Sequence, residues 1–367
     1  MKERNSEAVA AYMFLLPFLL VFGIFFVYAT VRAIYFSFTD YDLFNPPTWV
    51  GFRNYANLFR EENFRIALRN SVLFSLVVTA VQTFLALVTA AALNTNIRGL
   101  NIFRTAYYIP SVTSSAAITL IFIWLFQRRG LFNYLATQFQ QFLPHIIIFL
   151  IILGVMQLAQ VLWEQRRGFP AKWYDPALFV VAFLVAAVGI WVLNALGFVS
   201  PRDVDAVDFV WLQTRQEVGI GFWGSLPVPL IAIMIQNIFT TVPTFMLMFL
   251  AALQDVPKSY YEAASLDGAN ATQQFFQITI PSVQPVTFLV VTLGLIGTLQ
   301  MFDQVAIFGD AAPLRSMITL AFFVYWRMFP GAQTPEVGFA AASAMFLAVF
   351  TLLIVLLQRR FIRSEGY

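Results

Sequence analysis

Residues 260–281 read YYEAASLDGANATQQFFQITIP, the one sizeable polar, helix-forming stretch between two long apolar runs in the second half of the chain. Ser259 is placed to cap a first short helix. Gly268 is placed to end it, because glycine tolerates the left-handed backbone that closes a helix. Asn270 or Thr272 can start a second short helix. Pro281 suits the first turn of the apolar helix that follows, where its missing N–H is not needed. The expectation is a helix–turn–helix lying on a membrane face, with Phe275, Phe276 and Ile278 offered to a partner or to the bundle.

The rest of the chain explains why a membrane face is at issue. Of the 367 residues, 60% are hydrophobic and 11% charged, whereas soluble domains carry about 25% charged residues. Mean hydropathy is +0.75. Apolar runs of about 20 residues, interrupted by Gly and Pro, indicate membrane-crossing helices; a barrel would show alternating segments of about ten. The fold class is therefore all-α, a polytopic membrane helix bundle. A net charge of +3 and a pI near 9.2 fit basic residues flanking spans and give no reason to expect nucleic acid as a partner. Cysteine is absent, which excludes disulfides, thiolate metal sites and cysteine nucleophiles.

Eight apolar spans fall near residues 9–36, 68–94, 104–127, 144–163, 176–199, 226–253, 282–308 and 337–358. The first is too long for a signal-peptide core and has no clear small-residue cleavage site, so it reads as retained. Residues 37–67 are aromatic and polar around Pro46-Pro47, as expected of an ordered external loop with interfacial aromatics. RRGLFNYLATQF at 128–139 reads as leaving the membrane before the next span. With the amino terminus inside, eleven of the 22 basic residues fall on inner segments and eleven outside. The positive-inside rule therefore ties, the short hinges and the tail favouring this orientation and the first external loop opposing it.

The 260–281 stretch resembles the EAA loop of permease subunits of binding-protein-dependent ABC importers. Glu262-Ala263-Ala264, three residues, Gly268, nine residues, then Ile278-Thr279-Ile280-Pro281 reproduces that motif, with Ile280 where leucine is usual. A bare EAA triplet would carry nothing, since Glu and Ala are common helix formers. The resemblance covers roughly 10–133 and 209–361. FTDYDLFNPPTWVGFRNYANLF resembles the family's first external loop, and FRTAYYIPSVTSSAAITLIFIWLF followed by GLFN its third core helix and exit. FDQV at 302–305 is similar to a stretch in sugar permeases of the maltose-permease type. Two features depart from the family: the two extra spans within about 140–208, and GDAAP at 309–313 where Gly-Gly-Pro is common.

This resemblance implies a six-helix permease core with two inserted spans. Residues 1–8 would be a cytoplasmic amino terminus, 9–139 the first part of the core and 140–208 the insertion. Residues 209–361 would be the second part, with the coupling loop at 255–281, and 362–367 a cytoplasmic tail. It implies that Glu262, Ala263, Ala264, Asp267, Gly268, Ile278 and Pro281 dock into a cleft of an ATPase subunit. ATP and magnesium would sit on two such partner chains, with no cofactor on this one. A second, related permease and an external solute-binding protein would complete the assembly, in membrane lipid of a bacterial or archaeal plasma membrane with both termini cytoplasmic. By the same resemblance, Ser111, Ser115, Asn237, Phe239, Thr240, Thr241, Thr244 and Thr298 fall at sugar-contacting positions. Of these only Asn237 keeps an evidently matching side chain, and Pro243 matches the helix break.

The residues themselves allow a plainer reading beside each functional one. Polar groups on spans face the bundle or a pathway, and Pro110 and Pro243 free carbonyls near mid-helix; yet Ser, Thr and Asn also serve as glue between membrane helices. Glu262 can pair with a basic residue of a partner or simply complement a helix dipole. Asp267 can close the turn. Lys2, Lys172 and Lys258 are the only lysines and none follows a glycine, so a phosphate-binding GxxxxGK[ST] loop is impossible here. Gly219-Ile-Gly-Phe-Trp-Gly224 matches GxGxxG, but no strand is expected before it and a membrane helix follows, so a dinucleotide site is rejected. His145, the sole histidine, opens an extra span after Pro144 and cannot build a metal site alone.

Three functions follow in order of support. The first is an ABC importer permease for a sugar or related polyol. The second is an ion-gradient-driven transporter of a small polar solute, which usually needs intramembrane acids that these spans lack except Asp303. The third is an intramembrane enzyme, for which the chain offers no nucleophile–base or metal constellation.

Overall fold

The computed structural model describes residues 2–94, 99–169, 172–173, 175–219, 221 and 224–361. The tail at 362–367, Arg98 and three members of the GxGxxG match (Ile220, Phe222, Trp223) lie outside the described residues. Among the described residues, seven helices are long and apolar enough to cross a membrane, and a helix pair bent by 95° makes an eighth if it is counted as one span.

The first span joins α1 (Lys2–Val21) to α2 (Ala29–Ser37) through a π-helical stretch at Phe22–Tyr28. The loop after it is ordered as expected. Strands β1 (Thr39–Asp40) and β2 (Thr48–Trp49) pair antiparallel, and α3 (Arg53–Leu58) follows. Asn54 pins the loop by donating to the carbonyls of Ser37 and Thr39 at 3.0 and 2.9 Å. Phe38 packs against Trp49, Phe52 and Tyr55.

α4 (Glu62–Leu93) is the axis of the bundle, and begins outward of the apolar run that marks it because Phe64 and Ala67 are buried there as well. Ser71, Ser75, Thr79, Ala86 and Ala90 recur at helical spacing and are all buried. These small residues let neighbours approach closely, which matters because lipid supplies no hydrophobic drive between helices. Next come α5 (Leu100–Val112) and α6 (Ser115–Leu125). They were expected as one span, 104–127, with its weak point at Pro110. The chain bends instead at Thr113–Ser114, where Thr113 is extended, while Pro110 stays inside α5.

The chain divides into two compact units, residues 1–123 with 212–367, and residues 124–211. The second holds α7 (Leu131–Arg166) and α8 (Pro176–Ala195) as a packed helical pair. Its limits are wider than 140–208 because α7 is continuous through Pro144, so 131–139 forms the start of this helix, and His145 lies within it. Membrane helices absorb a proline in this way. Ala182, Ala186 and Gly189 form the small face of α8; a Cβ on Gly189 would meet Ile152 at 3.3 Å. Asn133 fastens the returning strand of chain, donating to the carbonyls of Arg128 and Phe209 and accepting from Trp211 Nε1, each at 2.9 Å.

In the first unit the chain resumes with a hairpin, β3 (Glu217–Gly219) against β4 (Ser225–Pro227). A strand therefore does precede the GxGxxG match, contrary to expectation; three residues are too few to show periodicity. The match sits at the turn of an antiparallel hairpin, not a βαβ unit, so a dinucleotide site stays rejected. α9 (Val228–Gln254) then packs along α4. Ala86 and Ala90 receive Val242, Phe245, Met246 and Phe249 in one core cluster, closed by Val283 and Val290.

After α9 come α10 (Lys258–Leu266), α11 (Ala271–Gln274), a π-helical turn at Phe275–Thr279, α12 (Ile280–Ser282) and α13 (Gln284–Leu299). The span expected at 282–308 is interrupted, because α13 stops at Leu299 and α14 (Asp303–Phe308) starts afresh. α15 (Leu314–Met317), α16 (Leu320–Met328) and α17 (Val337–Phe361) complete the fold. Irregular backbone at membrane depth must be satisfied by protein. Asn70 donates to the Ile318 carbonyl at 3.1 Å, Ser71 accepts from the Leu320 amide at 2.8 Å, and Thr319 donates to the Met301 carbonyl at 2.8 Å. Arg327 bridges Glu61 and Glu336 at 2.7 and 3.1 Å, tying α16 to the first loop.

Candidate functional site

Two regions carry the candidate residues. The first is the polar excursion between α9 and α13. α10 takes Pro257 as its N-cap, so Ser259 lies inside the helix and does not cap it; the proline holds the extended backbone a cap requires. The helix ends in a Schellman turn, with the Gly268 amide donating to the Ser265 carbonyl at 3.1 Å and the Ala269 amide to Ala264 at 2.9 Å. Gly268 has φ +81°, a conformation that costs roughly 1–2 kcal/mol with a side chain. Asn270 starts α11 with a complete capping box, exchanging bonds with Gln273 at 2.8 and 2.9 Å.

Three hydrogen bonds make this a preformed object. Tyr261 meets Thr279 at 3.1 Å, and Gln274 donates to Ser265 Oγ at 2.9 Å and to the Ala269 carbonyl at 3.2 Å. Pro281 does not open the span helix: it sits in α12, just after the π-helical turn in which the Ile280 amide reaches back to Phe275. Glu262, Ala263, Asp267, Gly268 and Pro281 are exposed, and Ala264 and Ile278 are half-buried. Neither Glu262 nor Asp267 has an ion pair among the described residues. Leu266, which sequence reasoning passed over, is 89% exposed at the tip. An apolar residue two positions before the glycine that ends a polar helix was the available signal.

The second region lies where two chain breaks meet the continuous helix α9. Ser115 opens α6 after the 95° bend, and its hydroxyl donates to Asp303 Oδ2 at the start of α14. One turn on, Thr119 donates to the Ser115 carbonyl at 2.7 Å and accepts from Gln236 Nε2 at 2.5 Å. Asn237, the next residue of α9, donates to Gln304 at 3.2 Å. Thr240 donates to the Gln236 and Asn237 carbonyls, at 3.2 and 3.0 Å. Helix breaks of this kind are where membrane transporters place polar groups for a solute.

Of the eight expected pathway residues, Ser115, Asn237 and Thr240 thus converge. Phe239 is half-exposed beside them, its ring 5.5 Å from that of Phe122. Phe239, Pro110 and Pro243 line a largely apolar cavity of about 510 Å³. Thr241 is half-buried and Thr244 exposed on the same helix. Ser111 lies before the bend and bonds the Tyr108 carbonyl at 2.8 Å. Thr298 stands apart: it is 3% exposed, and its hydroxyl meets Ser75 at 2.9 Å, Thr79 at 3.3 Å and the Gly294 carbonyl at 2.6 Å. It fastens α13 to α4. Asp303, Gln304 and Thr119 belong to the convergence without having been named as site residues, whereas Gln236 was among the polar candidates around Pro243. The signal for Asp303 was its position as an acid near the end of a span.

The sequence matches, over residues 168–365, the profile of the family described as "Binding-protein-dependent transport system inner membrane component". The chain belongs to this family. As a family member it is a membrane-spanning transport component, not itself an enzyme. The protein described as "Probable ABC transporter permease protein YesP" of Bacillus subtilis (strain 168) is 28% identical over 97% of this chain and 92% of its own length. The "Arabinooligosaccharides transport system permease protein AraP" of Halalkalibacterium halodurans is also 28% identical, over 96% of this chain and 88% of its own. A bacterial alginate ABC transporter, solved in complex with an alginate pentasaccharide-bound periplasmic protein, superposes with a TM-score of 0.66. That match covers 100% of this chain and 99% of the transporter chain at 17% identity, and it shows the fold of this transport component.

Proposed function

We propose that this transport component is the permease subunit of an ATP-driven importer, and that its solute is a carbohydrate or related polyol. The observation that carries the reading is the preformed excursion closed at Gly268, which leaves Leu266 exposed and Glu262 and Asp267 exposed with no ion pair among the described residues. A separate ATPase subunit takes this surface into a cleft, with Leu266 as apolar anchor, and closure of two ATPases drives alternating access. A second permease and an external binding protein complete the assembly, and the excursion faces the cytoplasm in a bacterial or archaeal plasma membrane.

Residues around Asp303 supply the solute path. The carboxylate, three amides and hydroxyls suit sugar hydroxyls, and Phe239 offers an apolar face for a ring to stack on. The names of relatives that carry arabinooligosaccharides and of a fold neighbour that carries alginate support this class. The test is reconstitution with the candidate ATPases, comparing wild type with Leu266→Asp. Wild type should retain the ATPase and take up labelled oligosaccharide on ATP addition, and Leu266→Asp should lose the ATPase while staying monodisperse. Uptake that needs a proton gradient and no ATPase would sink the reading.

A further inference from the structure

A second cavity, this one lined by charged side chains, lies at the far end of the same helices. α9 starts at Val228 and ends at Gln254, just before α10, so its start is about 40 Å from the coupling excursion. Around Pro227 and the first turns of α4, a cavity of about 330 Å³ is lined by three arginines, Arg69, Arg215 and Arg315, with Glu217 and the fully buried Asn70.

Charges in this cavity are unequal. Arg69 is held by Glu217 at 3.2 Å and by the Ser225 carbonyl. Arg315 makes a two-pronged pair with Glu62 at 2.9 and 3.0 Å. Arg215, exposed, has no ion pair among the described residues. Two guanidiniums are thus fixed in place with N–H groups to spare, and a third is left to a ligand. Asn70 spends both amide hydrogens on the carbonyls of Arg315 and Ile318, at 3.4 and 3.1 Å, while its Oδ1 is buried with no partner. An unmatched buried acceptor is uncommon and calls for a donor, which a hydroxyl of a bound solute supplies and its anionic group does not; the anion is left to the guanidiniums.

We propose that this cavity is an anion subsite that takes the carboxylate or phosphate of a small acidic solute, with Arg215 as the residue that decides between charged and neutral solutes. Guanidiniums recognise both groups through paired N–H donors. The volume lies at the lower end of small-ligand sites, about 300–1,000 Å³, and fits one sugar-sized group better than a protein surface. The placement of this subsite on the outer side rests on the importer reading above; its binding chemistry does not.

The experiment uses the full chain with its partner subunits in a phosphate-free detergent, without ATP or binding protein. Galacturonate, glucose 6-phosphate and glucose are titrated by calorimetry at low and high salt. Galacturonate and glucose 6-phosphate should bind saturably and glucose should not. Affinity for both acids should fall at least tenfold in Arg215→Gln, recover in part in Arg215→Lys, and weaken with salt. Equal binding of acid and neutral sugars, or no change in Arg215→Gln, would overturn the proposal. So would phospholipid co-purifying with wild type and not with Arg215→Gln, which would reassign the cavity to a lipid headgroup. Failure of ATPase retention in the same preparations would count against the importer reading alone.

Discussion

Asn237 Nδ2 donates to Gln304 Oε1 across 3.2 Å, joining the interior of α9 to the first turn of α14. Its neighbour Gln236 reaches Thr119 on α6 instead. Two adjacent residues of one helix therefore hold two different broken segments. Asn237→Leu should cut ATP-dependent uptake at least tenfold while ATPase retention stays normal, because the coupling surface is untouched. Normal uptake by a well-assembled Asn237→Leu protein would remove this residue from the path.

Thr298 makes the opposite case. Thr298→Val removes a hydroxyl shared with Ser75 and Thr79 and keeps the side-chain shape. Polar contacts between membrane helices average about 0.6 kcal/mol, so a stability loss of roughly 0.5–2 kcal/mol should show as a lower melting temperature, with uptake per folded molecule unchanged. A selective fall in solute affinity would instead place Thr298 in the path.

Gly268 at φ +81° separates backbone strain from surface chemistry. Gly268→Ala should cost about 1–2 kcal/mol locally and weaken ATPase retention several-fold. Gly268→Pro, which cannot adopt this φ and loses the amide bonded to Ser265, should abolish it. The melting temperature of the bundle should move little in either, since α10 and α11 bury no residue in the core. Normal retention by Gly268→Pro would exclude the turn from coupling.

Gly338 lets α17 reach the loop that follows α2. Its amide donates to the Tyr41 carbonyl at 3.1 Å, and a Cβ there would run into the Thr39 carbonyl. Gly338→Ala should therefore destabilise by about 1–3 kcal/mol, measured as lower yield and earlier thermal unfolding. Gly23→Ala, where a Cβ meets nothing within 4 Å, is the matched control.

The hairpin gives a pH test. The Ser225 hydroxyl first, and then the Arg69 guanidinium, hold the Glu217 carboxyl below its ordinary range. A lowered native pKa contributes stability that is complete above the unfolded value and lost as pH falls through the native one. A fluorophore near β3–β4 should therefore report no change from neutral pH down to about 5 and an opening only below the usual glutamate range of about 4.3. Glu217→Gln should remove that acid transition.

The amino-acid sequence alone determined the class and the places of the long apolar helices, because burial of backbone in lipid demands such helices and little else satisfies that demand. It also determined the polar excursion, read as 255–281 and formed by the elements from Lys258 to Ser282. Gly268 and Asn270 act through their own backbone angles and near neighbours, so their roles need no tertiary partner. What the sequence could not determine were features set across distant segments. Whether a threonine lines a path or ties two helices depends on what faces it: Thr240 and Thr298 look alike in sequence, yet Thr298 meets Ser75 on another helix and Thr240 does not. Pro110 and Pro144 read as breaks but were absorbed, while the bend fell at Thr113–Ser114, where Ser115 finds Asp303 from 188 residues away. Helix interruptions in a membrane persist only where side chains from elsewhere satisfy the freed backbone and polar groups. Those partners exist only once the bundle has packed.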